Sequence, residues 1–464
     1  MESHSTEYID ETFARLAGFA ERPAPDVRQR LELLRELKSV LRSSNNEICE
    51  AIHADFRKSN VEVELTEIAT VMLELRSALS NLKRWASADR IRADFPFWTT
   101  RSLVVAQPKG IVLIISPWNY PLLLSLSPLV SAIAAGNRII LKPSERTPNT
   151  SALLAGLLDR ALGPDWCVVI QGDAKVGAHL LTKPFNHFFF TGSPEIGRIV
   201  MKAAADHWSS ATLELGGKSP AIVDDTADIG LAAEKIIIGK YLNAGQTCIA
   251  PDFVIAHESV FDELVQTLID KASTMGDRHK STITGIVDSR HAERLRTLWN
   301  DARRRGAEIS DGPKLDLEKV SILTNVSLSA RIMKEEIFGP LLPVLRYSSV
   351  ADIVGVVSRF GAPLTCYLFT QSDHFAQDIR NRVKTGSICR NEMLLHFAHP
   401  NLPFGGVGKS GSGRTHGYAG FRAFSDEISV FDQRWGSGVL PLLFPVIRPS
   451  QDRLRAWFLR FLSR

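Results

Sequence analysis

Cysteine is scarce in this sequence of 464 residues, and the five present (Cys49, Cys167, Cys248, Cys366 and Cys389) are scattered. An odd number without CxxC spacing argues against a disulfide framework and against a thiolate metal site, and it suits a reducing compartment. A strong charge of one sign is also missing. The formal net charge is +4, and no basic stripe interleaved with aromatics occurs, which speaks against nucleic acid as a partner. No uninterrupted apolar run reaches the roughly 20 residues needed to span a membrane. Met1-Glu-Ser-His-Ser-Thr-Glu-Tyr8 is polar and acidic, unlike a secretory leader or a transit peptide, so a cytoplasmic location is the expectation. Internal repeats and low-complexity tracts are lacking too. What is there is a chain with 44% apolar residues, long enough for a large core divided among two or three domains.

The first ninety residues read as helices, with Leu31, Leu34, Leu37, Val40 and Leu41 forming one apolar stripe. From Ser102 the period changes. Residues 103–106 and 110–116 read as strands, and Ile111-Val-Leu-Ile-Ile115 is apolar throughout, as in strands covered on both faces. Helices at 121–135, 150–161, 174–181 and 194–204 then alternate with strands at 138–141, 167–171 and 185–190. This alternation predicts a doubly wound α/β sheet with ligands at the carboxyl ends of its strands. A second α/β series runs from about Ser219 to Val383.

The most informative segment is Tyr241-Leu-Asn-Ala-Gly-Gln-Thr-Cys248-Ile-Ala-Pro-Asp252. It puts a thiol on a loop of small and polar residues between a helix-like and a strand-like segment. Packing gives no reason for a cysteine there, whereas nucleophilic attack does. Upstream, Leu213-Glu214-Leu-Gly-Gly-Lys218 sets a lone carboxylate beside two glycines, a natural partner for that sulfur. Pro117-Trp-Asn119-Tyr-Pro121 ends the strand at 110–116 and reads either as a fixed amide donor for an oxyanion or as a plain turn. Lys142-Pro-Ser-Glu145 ends the strand at 138–141 and reads either as a pair for ribose hydroxyls or as a solvated turn. Phe190-Thr-Gly192-Ser193-Pro-Glu-Ile-Gly197 joins a strand to a helix, where free N–H groups suit a pyrophosphate, though an ordinary turn has the same spacing. Two other patterns are decoys. Gly406-Val-Gly408-Lys-Ser-Gly411 satisfies GxGxxG without a surrounding βαβ unit, and Gly217-Lys218-Ser219 lacks the first glycine of a Walker loop, Thr212 standing there.

Taken in order, these segments, with Glu335-Glu-Ile-Phe-Gly-Pro340 and Leu402-Pro-Phe-Gly-Gly-Val-Gly408, resemble the aldehyde dehydrogenase superfamily over about residues 5–435. Cys-Ile-Ala-Pro-Asp252 looks most like the class 3 branch, which includes fatty and aromatic aldehyde dehydrogenases. The resemblance implies an NAD(P)-binding domain at 1–92 and 107–213, and a catalytic domain at 214–400. It also implies an oligomerisation arm at 93–106 and 414–436 through which a homodimer forms. It makes Cys248 the thioester-forming nucleophile, Asn119 the oxyanion donor and Glu214 the base that hydrolyses the thioester. Lys142 and Glu145 would hold the adenosine ribose, Gly192, Ser193 and Gly197 the pyrophosphate, and Glu336 the nicotinamide ribose with Phe338 beside it. Glu145 would repel a 2′-phosphate, so NAD is favoured, with NADP accepted by some relatives; no metal is implied. Two departures stand out: Arg414-Thr-His-Gly417 where class 3 relatives carry Tyr-His-Gly, and Asn186 where an aspartate is common, a change expected to be neutral. A CoA-acylating enzyme and a non-catalytic protein on the same fold are the alternatives. The retained Glu214, Cys248 and Asn119 speak against both.

Beyond Gly438 the composition shifts to an apolar/basic tail, 439–464. Val439-Leu-Pro-Leu-Leu-Phe-Pro-Val-Ile447 is short and broken by prolines, and Ser450-Gln-Asp reads as the cap of a helix over 453–464. There Leu454, Trp457, Phe458, Phe461 and Leu462 share a face flanked by Arg453, Arg455, Arg460 and Arg464. The pattern suits peripheral contact of 450–464 with an anionic membrane, or a cover over the chain's own or its partner's active-site mouth.

Overall fold

The computed structural model describes residues 3–95, 97–278, 284–310, 312, 314–436 and 452–463. Its first sheet has the strand order Gly411–Ser412, Ser210–Leu215, His187–Gly192, Ile111–Ile115, Arg138–Lys142, Cys167–Val169. All its neighbours are parallel except the first pair. The chain starts in the middle at Ile111–Ile115, builds outward to Cys167–Val169, then returns to the other side at His187–Gly192. That reversal opens a crevice at the carboxyl ends of the two middle strands, the place where doubly wound sheets bind ligands. Helix Leu123–Ala135 leaves this crevice and is buried on every side. It lies between the sheet, the N-terminal helices and the helix Gly417–Ala423, whose Gly420 admits Ser131 closely: a Cβ there would lie 2.3 Å from Ser131 Oγ.

The second sheet has the order Glu308–Ile309, Ser321–Thr324, Leu341–Tyr347, Phe253–His257, Pro220–Val223, Thr365–Phe369, Ser387–Arg390, parallel except for the first pair. The doubly wound cofactor sheet and the second α/β unit match the expected fold class.

The small β arm is real, but its bounds differ from those expected. It consists of Asp89–Ile91, Thr100–Pro108 and Ser425–Gln433, all antiparallel, with Ser425 opposite Pro108 and Gln433 opposite Thr100. Among the described residues of 93–99 there is no strand, and 417–423 are helical because Gly420 and Phe421 pack into the core rather than along a sheet edge. The tail helix spans Asp452–Leu462, while 439–447 and Ser450 lie outside the described residues. Among the described residues no helix is long and apolar enough to cross a membrane.

Candidate active site

Cys248 lies on an irregular loop between the helix Ile229–Tyr241 and the strand Phe253–His257. Asn243, Ala244 and Gly245 shape the loop, all left-handed with φ of 54°, 52° and 71°. For residues with a Cβ such backbone costs about 1–3 kcal/mol each and persists only where the surroundings impose it. Here they do. Asn243 donates from Nδ2 to Asn119 O (2.8 Å) and Gln246 O (3.0 Å), and Gln246 donates from Nε2 to Asn243 O (2.9 Å) and Gly285 O (3.0 Å). Only glycine fits at 245, since a Cβ would stand 2.4 Å from Gly339 O.

Cys248 is half-buried and packs, as do Leu394 and Phe397, against an apolar cluster of Ile249, Leu364 and Phe404. Burial pushes the thiol well up, and the carboxyl groups of Glu336 and Glu214 add to the rise. The resting thiol is therefore neutral near physiological pH, and its attack needs a base or a compensating positive charge.

Glu214 comes from the strand Ser210–Leu215. It is buried, and its Oε1 has no hydrogen-bond partner. Burial raises the carboxyl to about 7, against the pull of His416 and with a further push from Glu74. A carboxyl in that range gains and loses its proton near neutrality, as a general base must. The strand is clasped at its edge by Gly411–Ser412, with Gly411 opposite Glu214 and Leu215 N donating to Ser410 O at 3.1 Å. Here the GxGxxG decoy finds its purpose. A Cβ on Gly406 would lie 1.9 Å from Ser410 O, and one on Gly411 2.3 Å from Leu213 O, so these glycines make a close-fitting clasp.

Asn119 follows the strand Ile111–Ile115 and is buried. Its Nδ2 donates to Gln246 O at 3.0 Å, which turns the amide toward the Cys248 loop and leaves its second N–H for another acceptor. Tyr120 Oη and Thr247 Oγ1, 2.8 Å apart, tie the same two loops together.

One cavity of about 1030 Å³ is lined by Cys248, Asn119 and Glu214, by Glu336 and Phe338, and by Lys142, Glu145, Gly192 and Ser193. Lys142 Nζ donates to Glu145 Oε2 at 2.8 Å. Burial pushes the Glu145 carboxyl up, but the Lys142 ammonium holds it below its usual value. Ser193 caps the helix Pro194–Asp206 by accepting from Ile196 N. Gly197 is placed differently from the rest. It faces Leu215, where a Cβ would meet Cδ2 at 2.6 Å, so it seats the helix on the sheet rather than lining the cavity. The Glu336 carboxyl lies against Gly216, whose Cβ would come 1.9 Å from Oε2; burial and the Asp252 carboxylate raise it to about 8. Phe338 stacks edge-on with Trp118 at 5.4 Å between ring centres. These features fit an NAD(P) dinucleotide: a helix N-terminus at Ser193 and a buried Thr191 Oγ1 with no partner, both on the wall of the cavity.

Sequence reasoning missed several residues that shape the site. Lys218 pairs with Asp252, both buried, and Lys218 Nζ also donates to Ile332 O (2.9 Å) and Glu335 O (3.1 Å). Asp252 Oδ1 accepts from Ile337 N at 2.8 Å, so the pair holds the segment that carries Glu336. His416, to which the sequence assigns no role, pairs with Glu74 at 3.0 Å, both buried. His291 joins Trp118 and Phe338 in an aromatic trio. Lys218 and Asp252 stand inside the motifs, and His416 inside the departure Arg414-Thr-His-Gly417, which is signal enough to find them; Glu74 and His291 carry none. Asn186 accepts from Ile111 N through Oδ1 (2.9 Å), a contact that an aspartate would also make.

The Aldehyde dehydrogenase family profile matches residues 8–430. A "Probable coniferyl aldehyde dehydrogenase" of Pseudomonas aeruginosa is 40% identical over 438 residues, covering 92% of this chain and 91% of the relative. A 4,4'-diaponeurosporen-aldehyde dehydrogenase of Staphylococcus aureus is 38% identical over 434 residues, covering 91% and 94%. Aldehyde dehydrogenase family 3 member A2 of Rattus norvegicus is 36% identical over 446 residues, covering 94% and 90%. A solved structure, the substrate-bound state of Staphylococcus aureus AldH, matches with a TM-score of 0.89 at 36% identity, covering 97% of this chain and 99% of that one. This chain belongs to the aldehyde dehydrogenase family, NAD(P)-dependent oxidoreductases that act through a cysteine nucleophile.

Proposed function

We propose that this protein oxidises medium- or long-chain aliphatic or aromatic aldehydes to carboxylic acids, as a member of the class 3-like branch. The observation that carries the reading is that Cys248, which lines the cavity fit for a dinucleotide, packs on its other side against the apolar cluster of Ile249, Leu364 and Phe404, as do Leu394 and Phe397. Apolar surroundings for the thiol favour an aldehyde with a hydrocarbon or aryl body. The names of the relatives, one for coniferyl aldehyde and one for a diaponeurosporen aldehyde, agree with that choice.

The Cys248 thiol gives its proton to solvent water, and the thiolate attacks the carbonyl carbon to give a thiohemiacetal, whose oxyanion accepts from the free N–H of Asn119 and from the Cys248 backbone. Loss of such a donor costs about 3–4 kcal/mol of transition-state stabilisation. NAD(P)+, when bound, supplies the hydride acceptor that lets the thiohemiacetal become a thioester. Lys142 and Glu145 hold its adenosine ribose, Gly192 and Ser193 its pyrophosphate, and Glu336 and Phe338 its nicotinamide end. Gly197 supports this surface from below. Glu145 near the ribose favours NAD over NADP. Glu214 then takes a proton from the water that hydrolyses the thioester. A CoA-acylating enzyme would have no use for a buried carboxyl beside the thiol, so Glu214 supports hydrolysis. Homodimerisation through the β arm is supported by the exposed Phe97, Phe431 and Trp435 on or beside its strands.

The test is formation of reduced nicotinamide with acetaldehyde, octanal, hexadecanal, benzaldehyde and cinnamaldehyde. Octanal, hexadecanal and the two aromatic aldehydes should have higher kcat/KM than acetaldehyde, and Cys248→Ala should abolish turnover. A preference for acetaldehyde would sink the substrate assignment, and activity in Cys248→Ala the mechanism.

A further inference from the structure

A polar residue faces inward where the helical pattern calls for an apolar one. In the stretch after Ser59, Leu65 is 67% exposed while Glu67 is completely buried. The cause is the backbone. Residues Glu64–Ile68 form a π-helical turn between the α-helices Asn60–Val63 and Ala69–Trp85. Such turns insert an extra residue per turn, rotate the following side chains, and recur at functional sites. Local rules broken at a cost tend to mark function.

The buried carboxylate is fully occupied. Lys58, also completely buried, donates to Glu67 Oε1 at 2.7 Å, and Glu67 Oε2 accepts from Leu122 N (2.9 Å) and Leu123 N (3.3 Å). Those N–H groups open the helix Leu123–Ala135, just after the Asn119 loop, and a carboxylate suits that positive end. Lys58 Nζ also donates to Asn119 O at 3.2 Å and lies 4.0 Å from the centre of the Tyr120 ring. Asn119 O takes its second hydrogen bond from Asn243 on the Cys248 loop. The backbone of Asn119 is thus clamped from behind by Lys58 and from the cysteine side by Asn243, while its side-chain amide points at Gln246 O. A buried ion pair is a poor source of stability, since well-packed apolar residues often do as well. Position is the better reason to keep one.

We propose that Glu67 and Lys58 are positioning residues for the Asn119 amide, presented by the π-helical turn, so that the oxyanion donor is fixed before the aldehyde arrives. The proposal rests on the reading of Asn119 as oxyanion donor given above.

The test is a double-mutant cycle on the full chain, with single-turnover NAD+ reduction by octanal as the readout. Glu67→Gln keeps an acceptor for the helix N–H groups but removes the charge that holds Lys58. In the unaltered background it should slow the saturated single-turnover rate by about tenfold or more, as partial loss of an oxyanion donor does. In an Asn119→Ala background the same change should slow it less than about twofold, because the residue through which it acts is gone. Octanal KM and the NAD+ Kd should move by less than about threefold in both, since the ground-state contacts are untouched. If Glu67→Gln does not fold, Glu67→Asp, which keeps the charge but shortens its reach to Lys58 and the helix N–H groups, is read in the same way. Equal slowing in the two backgrounds overturns the proposal. An Asn119→Ala enzyme as fast as the unaltered one overturns the oxyanion reading, and the proposal with it.

Discussion

At the scale of single residues, the site depends on burying groups that would rather be in water. Glu214 shows the consequence in both catalysis and stability. Its carboxyl is raised to about 7, chiefly by burial. As a base it must be ionised, so steady-state turnover should fall as pH drops through about 7, while the first hydride transfer per site continues. Glu214→Gln should remove that inflection and slow turnover where deacylation limits it; a burst of reduced nicotinamide followed by a slow phase is the measurement. Stability follows the opposite direction. The folded protein holds this proton after the unfolded chain, with its ordinary value of 4.5, has released it. Stability is therefore fully present below that value and is lost as pH rises toward the folded one, by up to about 3 kcal/mol. Glu214→Gln should raise the Tm at pH about 8 and leave it nearly unchanged at pH about 4. A Tm gain at both would mean that packing, not ionisation, is responsible.

At the scale of elements, loops distant in sequence hold the catalytic strand and the cofactor segment. Gly411 has φ of 146° and no room for a Cβ, which would lie 2.3 Å from Leu213 O on the strand that carries Glu214. Gly411→Ala should destabilise the protein by about 2–4 kcal/mol and lower kcat more than it raises the cofactor Kd, because the edge it disturbs belongs to Glu214. Lys218→Met should do the reverse to the cofactor. It leaves Asp252 buried without its cation, at a cost of about 3–5 kcal/mol, and it frees the segment of Glu336. A marked rise in NAD+ Kd, read by calorimetry, is the expected result, and an unchanged Kd would detach Glu336 from that pair. The elements differ in how plainly the sequence announces them. Ile111–Ile115 is legible because a strand covered on both faces needs five apolar residues in a row, and the crevice follows from the alternation that surrounds it. Asn119, Lys142, Glu145 and Ser193 are legible because they end or follow strands, where ligands bind; Cys248 is legible because packing gives no reason for a thiol on its loop, and Glu336 and Phe338 only through the family resemblance. The clasp by Gly411–Ser412 is not, because it joins positions about two hundred residues apart and rests on backbone contact, which leaves no side-chain pattern. Glu67 is hidden in another way. A carboxylate in a helical stretch reads as solvated until the π-helical turn rotates it inward. Residues 417–423 resemble an arm only until Gly420 is seen to admit Ser131.

At the scale of the whole molecule, the two α/β units leave the arm and the tail as the outlying parts, and these meet. On the tail helix Asp452–Leu462, Phe458 is buried and stacks at 5.8 Å on Phe95 beside the arm, with Phe461 and Trp457 on the same ring at 4.7 and 6.0 Å. The aromatic stripe is therefore shared. Phe458 serves the fold, while Trp457, Leu459 and Phe461 keep about half of their surface in water, next to the exposed Trp98, Arg453 and Arg460. An arginine near an anionic surface contributes about 1 kcal/mol, so the membrane attachment we propose for the tail is weak and reversible. We expect the full chain to pellet with phosphatidylserine vesicles at low salt and to be released at high salt, where charge attraction is screened. A chain ending at Gly438 should stay in solution under both conditions. Leu459→Ser with Arg460→Ser separates the two roles of the helix, because it removes an apolar group and a charge that face water and leaves Trp457, Phe458 and Phe461 on Phe95. If that variant stays in solution and its Tm hardly moves, the outer face of the tail binds lipid. If it loses several degrees of Tm and pellets as before, the tail belongs to the fold alone.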